Sequence, residues 1–191
     1  MKKALIWILV TVLVVGLFIG AYFLYDYLQK QTDTGLTDIQ GTTAHAGENG
    51  EEPQPVLAPD FTVYTPEGEA VKLSQLQGKP VVLNLWTSWC IYCKQEMPDF
   101  EKLYERYGQD VHFLMVNVTG ADTRAEAEKY IADSGHSFPV YYDTDGSLAQ
   151  NYYTGSVPTT YFFNAKGEAV TYVPGAVSGD ILEQGIQMII E

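Results

Sequence analysis

Apolar and polar positions along the chain fall into three regimes, and each predicts a different kind of structure. After Lys2 and Lys3 no charge occurs until Asp26, so Ala4 to Tyr25 is a run of 22 uncharged, mostly aliphatic residues. At roughly 1.5 Å per residue a helix of that length spans about 33 Å, enough to cross a bilayer core of roughly 30 Å. The lysine pair belongs on the cytoplasmic side, which directs the rest of the chain outward. A cleaved signal peptide is the alternative reading. Its apolar stretch is usually shorter and ends at a small-x-small site, whereas this one runs into AYFLYDYLQK. Tyr22, Phe23, Tyr25 and Tyr27 fit the aromatic belt of a permanent span. Residues 1–30 are therefore expected to form a single-pass signal-anchor.

Residues 31–56 lose all apolar periodicity. The stretch QTDTGLTDIQGTTAHAGENGEEPQPV is rich in Thr, Gly, Gln and Glu and lacks aromatics. Such a segment cannot bury enough apolar surface to offset its ordering entropy, so it reads as a flexible tether.

From Leu57 onward, period-two and period-3.6 patterns alternate. FTVYT and AVKL flank Pro66-Glu67-Gly68, which predicts a hairpin, and Ser74 with Gln77 fits a capping box for a short helical turn. PVVLNLW, Pro80 to Trp86, is nearly all apolar, as a buried central strand is. Met97, Phe100, Leu103, Tyr104 and Tyr107 recur at helical spacing up to Gly108. VHFLMVNV predicts a second buried strand, and Thr123 with Glu126 caps a helix ending near Gly135. FPVYYD is a strand, Ser147 to Tyr153 a short helix, and TTYFFN with EAVTYV a hairpin turning at Ala165-Lys166-Gly167. Ser178 opens a final helix with Ile181, Leu182, Ile186, Ile189 and Ile190 on its apolar side. Residues 57–191 thus predict one α/β domain with a mixed sheet.

Composition narrows the chemistry. With 24 acidic against 11 basic residues the formal net charge is -13, which disfavours nucleic-acid binding because nothing could neutralise a run of phosphates. Two cysteines cannot build a disulfide scaffold or a four-cysteine zinc site. His45, His112 and His136 show no ligand spacing, so no metal is expected.

The two cysteines form Cys90-Ile91-Tyr92-Cys93, where a buried strand gives way to an amphipathic helix. Unpaired N–H groups and the positive end of the helix dipole favour a thiolate there, and the thiolate is the attacking species in disulfide exchange. Cys90 is then the nucleophile and Cys93, one turn inside, resolves the mixed disulfide. Trp89 and Tyr92 flank the pair with flat apolar surface that could receive a substrate polypeptide. A structural disulfide is a weak alternative, since so short a loop constrains the unfolded chain little.

NLWTSWCIYCKQEMP, Asn84 to Pro98, resembles the thioredoxin superfamily, and specifically its membrane-anchored ResA/TlpA-like thiol–disulfide oxidoreductases. The likeness runs from Ala58-Pro59-Asp60-Phe61 through LSQLQGKPVVLNLW and FPVYYD to GSVPTTYFF, and so covers the whole domain. It implies a thioredoxin-like fold, a mixed central sheet flanked by helices, with an N-terminal β-hairpin and a central insertion between Val118 and Asp143. It implies too that Val157-Pro158 is a cis-proline segment facing the cysteines, with Val157 backbone pairing with substrate. Where thioredoxin keeps a buried acid this chain has Asn84, while Glu96 matches the group's glutamate close to the pair. Glu96 reads either as proton acceptor for Cys93 or as a solvated first-turn acid.

What the resemblance implies is a reductant tethered to a bacterial cytoplasmic membrane, its domain on the extracytoplasmic face. Its partners would be disulfide-containing exported proteins, such as apocytochrome c or a methionine sulfoxide reductase, recharged by a CcdA/DsbD-type membrane electron donor. No cofactor beyond the Cys90–Cys93 disulfide is implied. The alternatives are a DsbA-type oxidant, a thiol peroxidase and a redox-inert binding module. The peroxidase reading is weakened because Leu83 stands where that motif needs proline.

Overall fold

The computed structural model describes residues 16, 18–24, 37–38 and 57–190. The chain divides into two units, Met1–Thr34 and Gly35–Glu191. In the first, Gly16 and residues 18–24 are helical and exposed. Among the described residues no helix is long and apolar enough to cross a membrane. Most of the expected signal-anchor, and most of the expected tether with His45, lie outside the described residues.

The second unit is built on a mixed sheet. Its strands are β1 (Thr37–Asp38), β2 (Thr62–Tyr64), β3 (Ala70–Lys72), β4 (Val81–Trp86), β5 (His112–Asn117), β6 (Val140–Tyr142), β7 (Thr159–Phe163) and β8 (Ala169–Pro174). Helices α1 (Ile91–Tyr107), α2 (Arg124–Ser134), α3 (Ser147–Tyr152) and α4 (Gly179–Ile190) connect or follow them. The order across the sheet is β1-β8-β7-β4-β5-β6-β2-β3. β4, β5 and β6 run parallel through crossovers carried by α1 and α2, while β7 lies antiparallel to β4 and β8 to β7. β1 falls within the stretch expected as tether and pairs Thr37 with Tyr172 and Asp38 with Thr171.

All six residues of β4 are buried, which is why the strand reads as a continuous apolar run. Alternation sends Val82 and Trp86 into one hydrophobic cluster with Met97, Phe100, Leu103, Leu182 and Ile186 from α1 and α4. It sends Val81, Leu83 and Leu85 into a second cluster with Phe61, Val63, Leu148 and Tyr152 from the hairpin and α3. The helix signals lie largely where expected. Thr123 Oγ1 accepts from the Glu126 amide at 3.3 Å, and Gly135 ends α2 with φ 71°, a left-handed conformation that glycine adopts without cost. One detail differs. The turn at Leu73–Leu76 is closed by the Lys72 amide donating to Gln75 Oε1 at 3.0 Å, not by Ser74 with Gln77. Ser74 is instead taken by Asp60, whose carboxylate accepts from its amide at 3.0 Å and its hydroxyl at 2.8 Å.

Packing of α4 on the sheet depends on a missing side chain. A Cβ at Gly185 would lie 2.4 Å from Cε1 and Cζ of Phe162, itself fully buried. Gly185→Ala gains about 1 kcal/mol of helix propensity but overpacks the core at a cost of up to about 3 kcal/mol. A net loss of stability is therefore expected, read as a thermal midpoint lowered by several degrees. An unchanged or raised midpoint would contradict this contact.

Candidate active site

β4 ends at Trp86, and Thr87, Ser88 and Trp89 carry the chain to Cys90, the N-cap of α1. Cys90 has extended backbone angles (φ -75°, ψ 112°), and its Sγ accepts from the Cys93 amide at 3.1 Å. Sulfur thus occupies the place of the oxygen in an ordinary N-cap, where an otherwise unpaired helix N–H and the helix dipole stabilise negative charge. No acidic residue lies in the first turn to oppose this. Cys90 and Cys93 are joined as a disulfide. Cys93 is fully buried and Cys90 5% exposed, so only Cys90 reaches the surface.

The peptide bond between Val157 and Pro158 is cis. It brings the Val157 carbonyl oxygen to 3.7 Å from Cys90 Sγ. Pro158 is held in turn by its carbonyl, which accepts from the Gly175 amide at 2.9 Å. Around this mouth Trp89, Ile91 and Tyr92 are 62%, 63% and 62% exposed, an apolar rim beside the Cys90 sulfur. The structure therefore brings Cys90, Cys93, Val157 and Pro158 together, with Trp89 and Tyr92 beside them.

Glu96 is not the solvated first-turn acid of the alternative reading, because only 3% of it is exposed. It follows Cys93 by three residues on α1, so both point from one face of the helix into the same interior. Its Oε1 accepts from Asn84 Nδ2 and its Oε2 from the Val177 amide, each at 2.8 Å. Burial raises the carboxyl's pKa to about 8, outweighing these two bonds, which pull the other way. Asn84 also donates to Thr160 Oγ1 at 3.0 Å, whereas its own Oδ1 is buried without a partner. An Asn84 amide flip would let that oxygen accept from a protonated Glu96. The pair can thus carry either protonation state of the acid.

Asn84 as Glu96's partner was open to sequence reasoning, since it is the one polar residue in an apolar strand, on the face of Val82 and Trp86. The Val177 amide and a carboxylate behind the active-site loop, Asp122, left no such signal. Among the described residues no group of three or more His, Cys, Asp or Glu side chains could hold a metal ion.

A cis-proline facing a Cys-x-x-Cys pair, on a mixed sheet at the start of a helix, defines a thioredoxin-like thiol–disulfide oxidoreductase. The model of the AhpC/TSA family matches residues 56–172, and the chain belongs to that family. It is 38% identical over 131 residues to the thiol-disulfide oxidoreductase ResA of Oceanobacillus iheyensis, covering 66% of this chain and 67% of the relative. Among solved structures, StoA from Bacillus subtilis superposes with a TM-score of 0.59 at 29% identity, over 70% of this chain and 99% of StoA. The exposed lipoprotein thioredoxin of Streptococcus pneumoniae gives 0.61 at 28% identity, over 68% of this chain and 99% of its own.

Proposed function

We propose that this enzyme is a membrane-tethered reductant of disulfides in exported proteins, working on the outer face of a bacterial cytoplasmic membrane. The observation that carries the reading is the single accessible sulfur of Cys90, set at a helix N-terminus over a buried Cys93 and a buried acid. The uncharged run after Lys2 and Lys3 supports the anchor and its orientation. Similarity to a protein described as an exposed lipoprotein thioredoxin supports the outer location.

In the reducing direction the Cys90 thiolate attacks one sulfur of the target disulfide. A Cys90–target bond forms, and the other target sulfur leaves as a thiolate and takes a proton from solvent. Ionised Glu96 accepts the proton of the Cys93 thiol, and the Cys93 thiolate then attacks Cys90 Sγ. The second target thiolate leaves, so two electrons pass to the target and the Cys90–Cys93 disulfide closes. A CcdA/DsbD-type membrane donor would return the pair to the dithiol. Apocytochrome c and methionine sulfoxide reductase are the substrates we propose.

The deciding measurement is the reduction potential of the pair, by equilibration with thiol buffers. A value close to thioredoxin's, roughly -270 mV, is expected; one close to DsbA's, roughly -120 mV, would make the protein an oxidant and overturn the reductant reading.

A further inference from the structure

We propose that Asp122 is a positioning residue that sets the polypeptide-docking rim of the active site by holding Ser88 and, through the neighbouring Ala121, Trp89. This rests on the thiol–disulfide exchange already assigned to Cys90.

Residues 87–89 belong to no helix or strand, yet they carry the chain from β4 to the nucleophile. Their long-range partners, one for the backbone and two for side chains, come from the segment after β5. Asp122 Oδ2 accepts from the Ser88 amide at 2.5 Å and from Asn117 Nδ2 at 2.8 Å. Asp122 Oδ1 accepts from the Ser88 hydroxyl and the Thr123 amide, both at 2.8 Å. Burial works against the charge, but these four bonds outweigh it and hold the carboxyl below its ordinary pKa, so Asp122 stays ionised at neutral pH. One residue earlier, the Ala121 carbonyl accepts from Trp89 Nε1 at 2.8 Å. Ser88 and Trp89 are thus gripped at three points by two consecutive residues 34 and 32 positions further along the chain.

The grip selects what it controls. Cys90 is anchored independently, by its own helix through the Cys93 amide and by its amide donating to Thr87 O at 3.2 Å. Among the described residues the indole bond is the hydrogen bond that holds the large Trp89 ring, 62% exposed beside the sulfur. Released from Asp122, the Ser88–Trp89 peptide regains freedom that a docking polypeptide must remove again. A small disulfide that touches only Cys90 meets no such requirement.

The test uses the full chain carrying Cys93→Ala, which leaves Cys90 as its only thiol. Cys90 attacks mixed disulfides of nitrothiobenzoate with an unfolded polypeptide: a Cys90–polypeptide bond forms, the polypeptide–nitrothiobenzoate bond breaks, and the coloured thiolate leaves. Dithiobis(nitrobenzoate) serves as the small disulfide with the same leaving group. A docking chain must then order one further side chain, so Asp122→Ala is expected to slow the polypeptide reaction roughly two- to ten-fold. The small reagent should stay within about two-fold. Asp122→Asn keeps an acceptor for the Ser88 amide and should restore most of the polypeptide rate. With Trp89→Ala already present, Asp122→Ala should add nothing, because both act on one rim. An equal fall for both reagents, or an undiminished Asp122 effect without Trp89, would overturn the inference. Should Asp122→Ala fail to fold, Ser88→Ala is expected to slow the polypeptide reaction selectively, and an equal effect on both reagents would again overturn it. If wild-type Cys90 attacked neither reagent, the exchange reading itself would fall.

Discussion

Glu96→Gln is expected to flatten the pH dependence of stability and to make the domain more stable than wild type in alkaline solution. Glu96 titrates near 4.5 in an unfolded chain and at about 8 in the fold, so the folded state holds its proton more tightly. Its favourable contribution is complete below pH 4.5 and is lost as pH rises through 8, where a charge must be kept in the interior. At ~1.4 kcal/mol for each tenfold change in proton affinity, that interval corresponds to roughly 4–5 kcal/mol between its ends. Glutamine carries no such charge. Both of Glu96's partners are donors, so the new amide would face one unfavourably until Asn84 turns its unpaired Oδ1 toward it. The small cost of that turn leaves the variant at or slightly below wild type at pH 4. Chemical denaturation from pH 4 to 9 would show the two curves crossing, whereas parallel curves would refute a buried, protonated Glu96. The same substitution should remove the inflection near pH 8 from the rate at which Cys93 closes the mixed disulfide, since glutamine cannot accept its proton.

Cys90→Ser is expected to abolish exchange, with turnover falling to the uncatalysed background. Cys93→Ala is expected to react once and then stall as a covalent complex with its target. The difference follows from access. A hydroxyl at position 90 has no thiolate to offer, and the buried sulfur of Cys93 cannot replace it at the surface. Without Cys93, nothing resolves the bond that Cys90 forms. Stalled complexes, resolved by non-reducing electrophoresis and identified by mass spectrometry, would name the substrates. Activity retained in Cys90→Ser would remove Cys90 as the nucleophile. Opening the disulfide should leave the fold standing in both redox states, because a ring of four residues constrains the unfolded chain by only about 2 kcal/mol.

The elements that read best from the sequence are those whose stability is local or whose burial is two-sided. β4 announces itself through six buried residues in succession, and α2 through Thr123 at its start and Gly135 at its end. Cys-x-x-Cys at a strand-to-helix junction carried its chemistry in spacing alone. Glu96 was half legible. Its position matched a known pattern, but helix-start acids are commonly solvated, and only the assembled core shows this one enclosed. Asp122 was not legible at all, because its meaning lies in Ser88, 34 residues earlier, and an acid before a helix cap looks like any other. The turn at Leu73–Leu76 went to Gln75 for the same reason. Two candidate side chains competed, and a partner 14 positions away, Asp60, decided which was free.

The margins of the sheet have a consequence for how this protein keeps company. Among the described residues it ends on one side in β1, two residues long, and on the other in β3, three residues long with an exposed lysine. A long, flat border would offer its unpaired N–H and C=O groups to any extended chain. Borders this brief leave little to copy. That would matter for an oxidoreductase whose proposed substrates are exported polypeptides. On the proposed function, a substrate chain would meet the cysteine mouth beside the Val157 carbonyl rather than be templated along the sheet.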